Sequence, residues 1–135
     1  MGRAVTHPLK ASETALHMSV WRYLRYALPP ECRAFHPANG GHRTKAAGGQ
    51  LKAMGVVPGV PDFILILPNA QVAGIELKVG SNDLTDEQLE WRDWMVGRGC
   101  GFAVCRSLEE VETTITRWLN AFGLTPRART IGRAA

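Results

Sequence analysis

Two strand-length apolar runs, Phe63–Leu67 and Gln71–Val79, flank a Pro68-Asn69 turn signal. Runs of this length around such a turn predict a β-hairpin. Alternation along the second run puts Ile75, Leu77 and Val79 on one face and Gly74, Glu76 and Lys78 on the other. The first run is entered through Gly59-Val60-Pro61-Asp62, so a carboxylate stands one residue before a strand that should be buried. Pairing the two runs carries Asp62 toward Glu76. The remaining elements have to be arranged around that hairpin.

Helical spacing predicts a first helix from about Ser12 to Tyr26, with Leu16, Val20, Leu24 and Ala27 inward and Pro29-Pro30 ending it. Glu13 lies near the inward stripe, three residues before Leu16. Cys32–His36 reads as a short strand. Residues 37–61 are rich in glycine and proline, with a short helix around Gly49–Met54. Thr85 and Gln88 form a T-x-x-Q capping box that starts a helix, and Gly99 suits its end. Gly101–Cys105 reads as a strand. Ser107 and Glu110 form a second capping box, followed by the stripe Val111, Ile115, Leu119 and Phe122. The expectation is an α/β fold, with helices flanking a small mixed sheet. A loose arm is expected over residues 1–11, one domain over 12–122, and a flexible basic tail over 123–135 containing Arg127, Arg129 and Arg133.

A length of 135 residues fits one domain with one core. No apolar run reaches the roughly 20 residues a membrane span needs. The start, MGRAVTHPLK, lacks the apolar centre of a signal peptide, so an intracellular, cytoplasmic protein is expected. Cys32, Cys100 and Cys105 are odd in number and form no C-x-x-C pair, which leaves them as small thiols of the interior. The histidines fall at no metal-binding spacing; His36 and His42 lie in the glycine-rich stretch. Residues 1–50 carry seven Lys/Arg against two Asp/Glu, residues 51–100 four against seven, and residues 101–135 five against three. Basic ends around an acidic middle suit a polyanion held against a site that also holds a cation.

Two carboxylates at one end of a hairpin offer the oxygen ligands that Mg²⁺ or Mn²⁺ prefers. Lys78 shares the face of Glu76, where a cation steadies an attacking hydroxide or the charge of a phosphate in the transition state. In the glycine-rich stretch, the amides of Asn39, Gly40 and Gly41 beside Arg43, Lys45 and Lys52 suit phosphate oxygens. Each feature also has an ordinary explanation. Glu76-x-Lys78 suits a solvated salt pair, Pro61-Asp62 a turn, Glu13 the positive end of its helix, Gln88 a cap, and residues 37–61 a surface loop.

Taken together, Gly59-Val60-Pro61-Asp62, Glu76-Leu77-Lys78 and Gln88 in the following helix resemble the PD-(D/E)xK nuclease superfamily. More narrowly they resemble its virus-type replication-repair nuclease domain, VRR-Nuc. The likeness includes Glu13, Asn39-Gly40-Gly41 and Leu51–Gly59, and spans roughly residues 12–122. It implies a restriction-endonuclease-like fold and a metal-dependent phosphodiesterase. Asp62, Glu76 and the Leu77 carbonyl would hold Mg²⁺ or Mn²⁺, with Glu13 as a further ligand. Lys78 would be the catalytic lysine, and Gln88 would position water or the scaffold. Stand-alone members resemble phage- and bacteria-encoded proteins, some similar to homodimeric resolvases of four-way (Holliday) DNA junctions. Branched DNA and a second copy of the chain are therefore the expected partners, with no organic cofactor. Trp91, Trp94 and Trp118 suit such an interface, although core packing is the stronger expectation for most of them. Nicking of duplex DNA, or a non-catalytic nucleic-acid-binding module on the same fold, are the competing readings.

Overall fold

A computed structural model describes residues 8–38 and 44–127. Its strands form one mixed sheet in chain order: β1 (Arg33–Phe35), β2 (Phe63–Ile66), β3 (Val72–Leu77) and β4 (Gly101–Cys105). β2 runs antiparallel to both β1 and β3, and β4 runs parallel to β3. The helices are α1 (Pro8–Ala27), α2 (Lys45–Ala53), α3 (Asp86–Gly97) and α4 (Leu108–Asn120). α3 is the crossover that a parallel pair requires. The expected hairpin is β2–β3, closed by a Leu67 N–H bond to Gln71 O of 2.7 Å. Asn69 (φ 61°) and Ala70 (φ 58°) both turn left-handed there, which matches the twist of the strands. No helix among the described residues is long and apolar enough to cross a membrane.

One face of the sheet presents Phe63, Leu65, Ala73, Ile75 and Cys105 to Val20 and Leu24 of α1 and to Val111, Ile115 and Leu119 of α4, all buried. Burying each large aliphatic or aromatic side chain contributes roughly 1.5–3 kcal/mol. A register slip would turn this whole set to the wrong face. The opposite face is covered as well. A Cβ at Gly74 would come within 2.8 Å of Pro61 Cγ and 3.1 Å of Met95 Cε of α3. β3 is therefore enclosed on both sides, and Glu76 is only 4% exposed. That rules out the solvated salt-pair explanation of Glu76-x-Lys78. Cys32 and Cys105 are buried free thiols and Cys100 a half-buried one. Trp118 packs on the core and Trp91 is half-buried. Trp94 departs from core packing: it is exposed, with the Arg98 guanidinium 4.6 Å over its ring.

Several boundaries differ from the sequence reading. α1 begins at Pro8, inside the stretch expected to be a loose arm, because proline is well suited to a first helical turn. Residues 1–7 lie outside the described residues. α2 starts four residues earlier than expected, at Lys45, since the Thr44 side chain accepts from Ala47 N–H at 3.1 Å and caps it. The first part of the basic tail is anchored. Arg127 donates its backbone N–H to Ala27 O (2.9 Å), Nε to Tyr26 O (3.0 Å) and Nη2 to Arg25 O (3.2 Å). These are the carbonyls that α1 leaves without helical partners, at its negative end. Arg129 and Arg133 lie outside the described residues.

The loop before Asp62 is seated on the first turn of α3. Gly59 has φ +86°, and a Cβ there would stand 2.5 Å from both the carbonyl carbon and the oxygen of Glu87. Gly59→Ala would meet left-handed strain and a backbone clash together, so a loss of about 2 kcal/mol or more is expected, several degrees in Tm. Gly55→Ala is the control: φ is +100° there, but nothing lies within 4 Å. Its thermal melt should fall distinctly less, and equal losses would show that the close approach at Gly59 does not matter.

Candidate active site

The β2–β3 register pairs Phe63 with Ile75, and one step beyond the ladder brings Asp62 to Glu76. Asp62 Oδ2 accepts the Leu77 N–H at 2.8 Å, which fixes the carboxylate against β3. Burial pushes the Glu76 carboxyl up to about 8, and the charge and closeness of the Asp62 carboxylate add to it; Lys78 and the Asp62 backbone N–H act in the other direction. Glu76 therefore holds its proton more tightly than an ordinary carboxyl. Lys78, half-buried, follows Glu76 by two residues and is the cation whose field opposes that proton.

Gln88 reaches the pair from α3. Its Oε1 accepts the Thr85 N–H at 2.9 Å, and its Nε2 donates to Glu76 Oε1 at 2.9 Å. The Thr85 side chain accepts from Gln88 N–H at 3.3 Å, which completes the capping box. Gln88 is thus a cap by one end of its amide and a hydrogen-bond partner of Glu76 by the other. Since only an oxygen can accept from Thr85 N–H, the NH₂ end must face the acid.

Two acids brought together at the end of a hairpin present the donor set of a hard divalent cation, which would relieve their repulsion. Asp62 and Glu76 are the side chains that fit such an ion, and the Leu77 peptide lies beside them. Among the described residues, no three His, Cys, Asp or Glu side chains gather as a metal-holding group. Glu13 is exposed on α1 and does not complete one. Lys45 and Lys52 are exposed on α2, while Asn39, Gly40, Gly41 and Arg43 lie outside the described residues.

Sequence reasoning placed neither of two histidines beside Asp62. His36 Nδ1 lies 2.6 Å from Asp62 O. His17 sits edge-on to His36, ring centroids 4.3 Å apart, and against Phe63 at 4.5 Å. Partial burial, then His36, lowers the His17 pKa, with Asp62 opposing. The available signal was slight: His17 falls one helical turn after Glu13, and His36 falls at the end of a short strand.

A sequence profile of the VRR-NUC domain matches residues 6–109. The chain belongs to the VRR-NUC family. This VRR-NUC nuclease domain is also similar to a solved VRR_NUC domain protein, with TM-score 0.61 and 20% identity over 80% of this chain and 88% of that one. At that identity the likeness shows the fold, a PD-(D/E)xK-like α/β arrangement. A crystal structure of paFAN1 bound to 1-nt 5′-flap DNA with a gap aligns at TM-score 0.32 and 20% identity, covering 66% of this chain and 15% of that one. A search of curated proteins finds no match.

The raised Glu76 carboxyl gives the domain a pH-dependent stability. An acid whose pKa is higher folded than unfolded stabilises the fold fully below its unfolded value, and that contribution is lost as pH rises through the folded value. In EDTA, Tm should therefore decline as pH climbs from about 5 through about 8, the folded value of Glu76. Glu76→Gln should flatten this slope in thermal melts, and an unchanged slope would place its origin elsewhere.

Proposed function

We propose that the domain is a divalent-metal-dependent endonuclease that hydrolyses phosphodiester bonds in branched DNA, four-way junctions foremost, with Mg²⁺ or Mn²⁺ as the ion. The observation that carries this reading is the alignment of Asp62 with Glu76 at the end of the β2–β3 hairpin, with Lys78 two residues on and Gln88 holding Glu76. The bound ion supplies a water of lowered pKa and neutralises charge on the scissile phosphate. Asp62 and Glu76, with the Leu77 carbonyl, would hold the ion. Lys78 steadies the charge that develops on the phosphate. Gln88 keeps one oxygen of Glu76 in place, and the enclosed β3 gives the centre a rigid base.

Substrate choice rests on shape and phosphate contact. No motif for reading bases is evident in the sequence, and the cations Lys45 and Lys52 of α2 follow a glycine-rich stretch suited to phosphate oxygens. Binding of this kind weakens steeply with salt. Paired cuts on opposite strands of a junction need two centres, which a two-fold homodimer supplies.

A cleavage panel of four-way junction, flap, nicked duplex and linear duplex in Mn²⁺ tests both parts. Junction cleavage should dominate, vanish in EDTA, and drop at least about a hundredfold in Lys78→Ala with an unchanged melting curve. Every substrate left intact by the Mn²⁺-loaded wild type would end the enzymatic reading. Linear duplex cut as fast as the junction would end the structural preference and favour a nicking or restriction-like activity.

A further inference from the structure

We infer that His36, braced by His17, is a positioning residue that fixes the Asp62 peptide and so sets the geometry of the carboxylate pair. The inference rests on the metal-dependent reading of that pair, and begins from one contact, His36 Nδ1 at 2.6 Å from Asp62 O. A carbonyl oxygen can only accept, so Nδ1 carries the proton and donates it. That assigns the tautomer: in the neutral ring Nε2 holds the lone pair.

The contact matters because of where Asp62 sits. It follows Pro61 and stands one residue before β2, outside the paired ladder. Its carboxylate is fixed from β3 by Leu77 N–H, at 2.8 Å. Its carbonyl is fixed from the other side by His36, which is 26 residues away in sequence. The two bonds grip Asp62 at both ends. The His36 ring is exposed and belongs to no strand, so its own placement needs a support. His17 supplies it, standing nearly perpendicular to His36 (78°) and lodged against the fully buried Phe63. α1 is thereby connected to the site through ring contacts. Outer residues that orient a ligand for an ion typically contribute ten- to a hundredfold in affinity or activity.

Two measurements test this. In ¹⁵N–¹H spectra of the metal-free wild type, neutral His36 should show a protonated Nδ1 and a bare Nε2; the opposite tautomer overturns the inference whether or not the protein is a nuclease. The second compares Mn²⁺ affinity by calorimetry, and kcat and KM on a cleaved DNA, across His36→Ala, His36→Asn and His36→Gln. Asn places its NH₂ near the position of Nδ1, whereas Gln places it near Nε2. His36→Ala should weaken Mn²⁺ binding and lower kcat by about ten- to a hundredfold with KM little changed. His36→Asn should recover most of both, and His36→Gln should not. Rescue by Gln as good as by Asn, or an Ala variant equal to wild type, would overturn the positioning role. A wild type that neither binds Mn²⁺ nor cuts would instead remove the metal-dependent reading, leaving the tautomer to decide whether the Asp62 grip exists.

Discussion

Mutual repulsion between Asp62 and Glu76 is the constraint around which this domain is built. Two like charges about 4 Å apart cost about 4 kcal/mol at an effective dielectric of 20. That is comparable to the net stability of a small domain, about 5–15 kcal/mol. The pair persists because the fold aims donors at it: Leu77 N–H and His36 at the two ends of Asp62, Gln88 Nε2 at Glu76, and the charge of Lys78 nearby. What these groups leave uncompensated favours the protonated form of Glu76.

The scaffold reaches this arrangement by removing side chains as well as by adding them. Gly74 leaves the room that Pro61 and Met95 fill, and Gly59 lets the loop before Asp62 touch the backbone of α3. Both clearances shorten the distance between the hairpin and α3, and so between the acids and Gln88. The apolar cluster under α1 and α4 sets the strand register on which the alignment of Asp62 with Glu76 depends.

Much of this was legible in the sequence because it is local. The hairpin, the capping box at Thr85, the β4 strand and the α4 stripe are each written within about a dozen residues, and all form. At Ser107 half of the expected box forms: its hydroxyl accepts the Glu110 N–H, but the Glu110 carboxylate accepts from Arg106 N–H rather than from Ser107. Asp62, Glu76 and Gln88 could be placed together because a hairpin and one capped helix carry them. The rest depends on distant partners. His36 reaches Asp62 across 26 residues, and Arg127 reaches Tyr26 across 101. No spacing rule encodes such meetings. Glu13 illustrates a subtler limit. Periodicity gave its direction around α1, but not its depth along it. Burial grows toward the C-terminal half, at Val20, Leu24 and Ala27, while Leu16 is only half-buried and Glu13 is exposed. A helix that overhangs its core keeps the stripe and loses the burial.

The shared amide of Gln88 narrows what evolution can do at this position. Capping boxes accept glutamate as readily as glutamine, because the helix asks only for an oxygen at that point. Here the other end of the side chain faces an acid. Glutamate would serve the helix and add a third carboxylate to a place already short of positive charge. The start of α3 and the chemistry of the site are therefore not independent traits: a substitution neutral by every helical criterion would be selected against by the residue across from it.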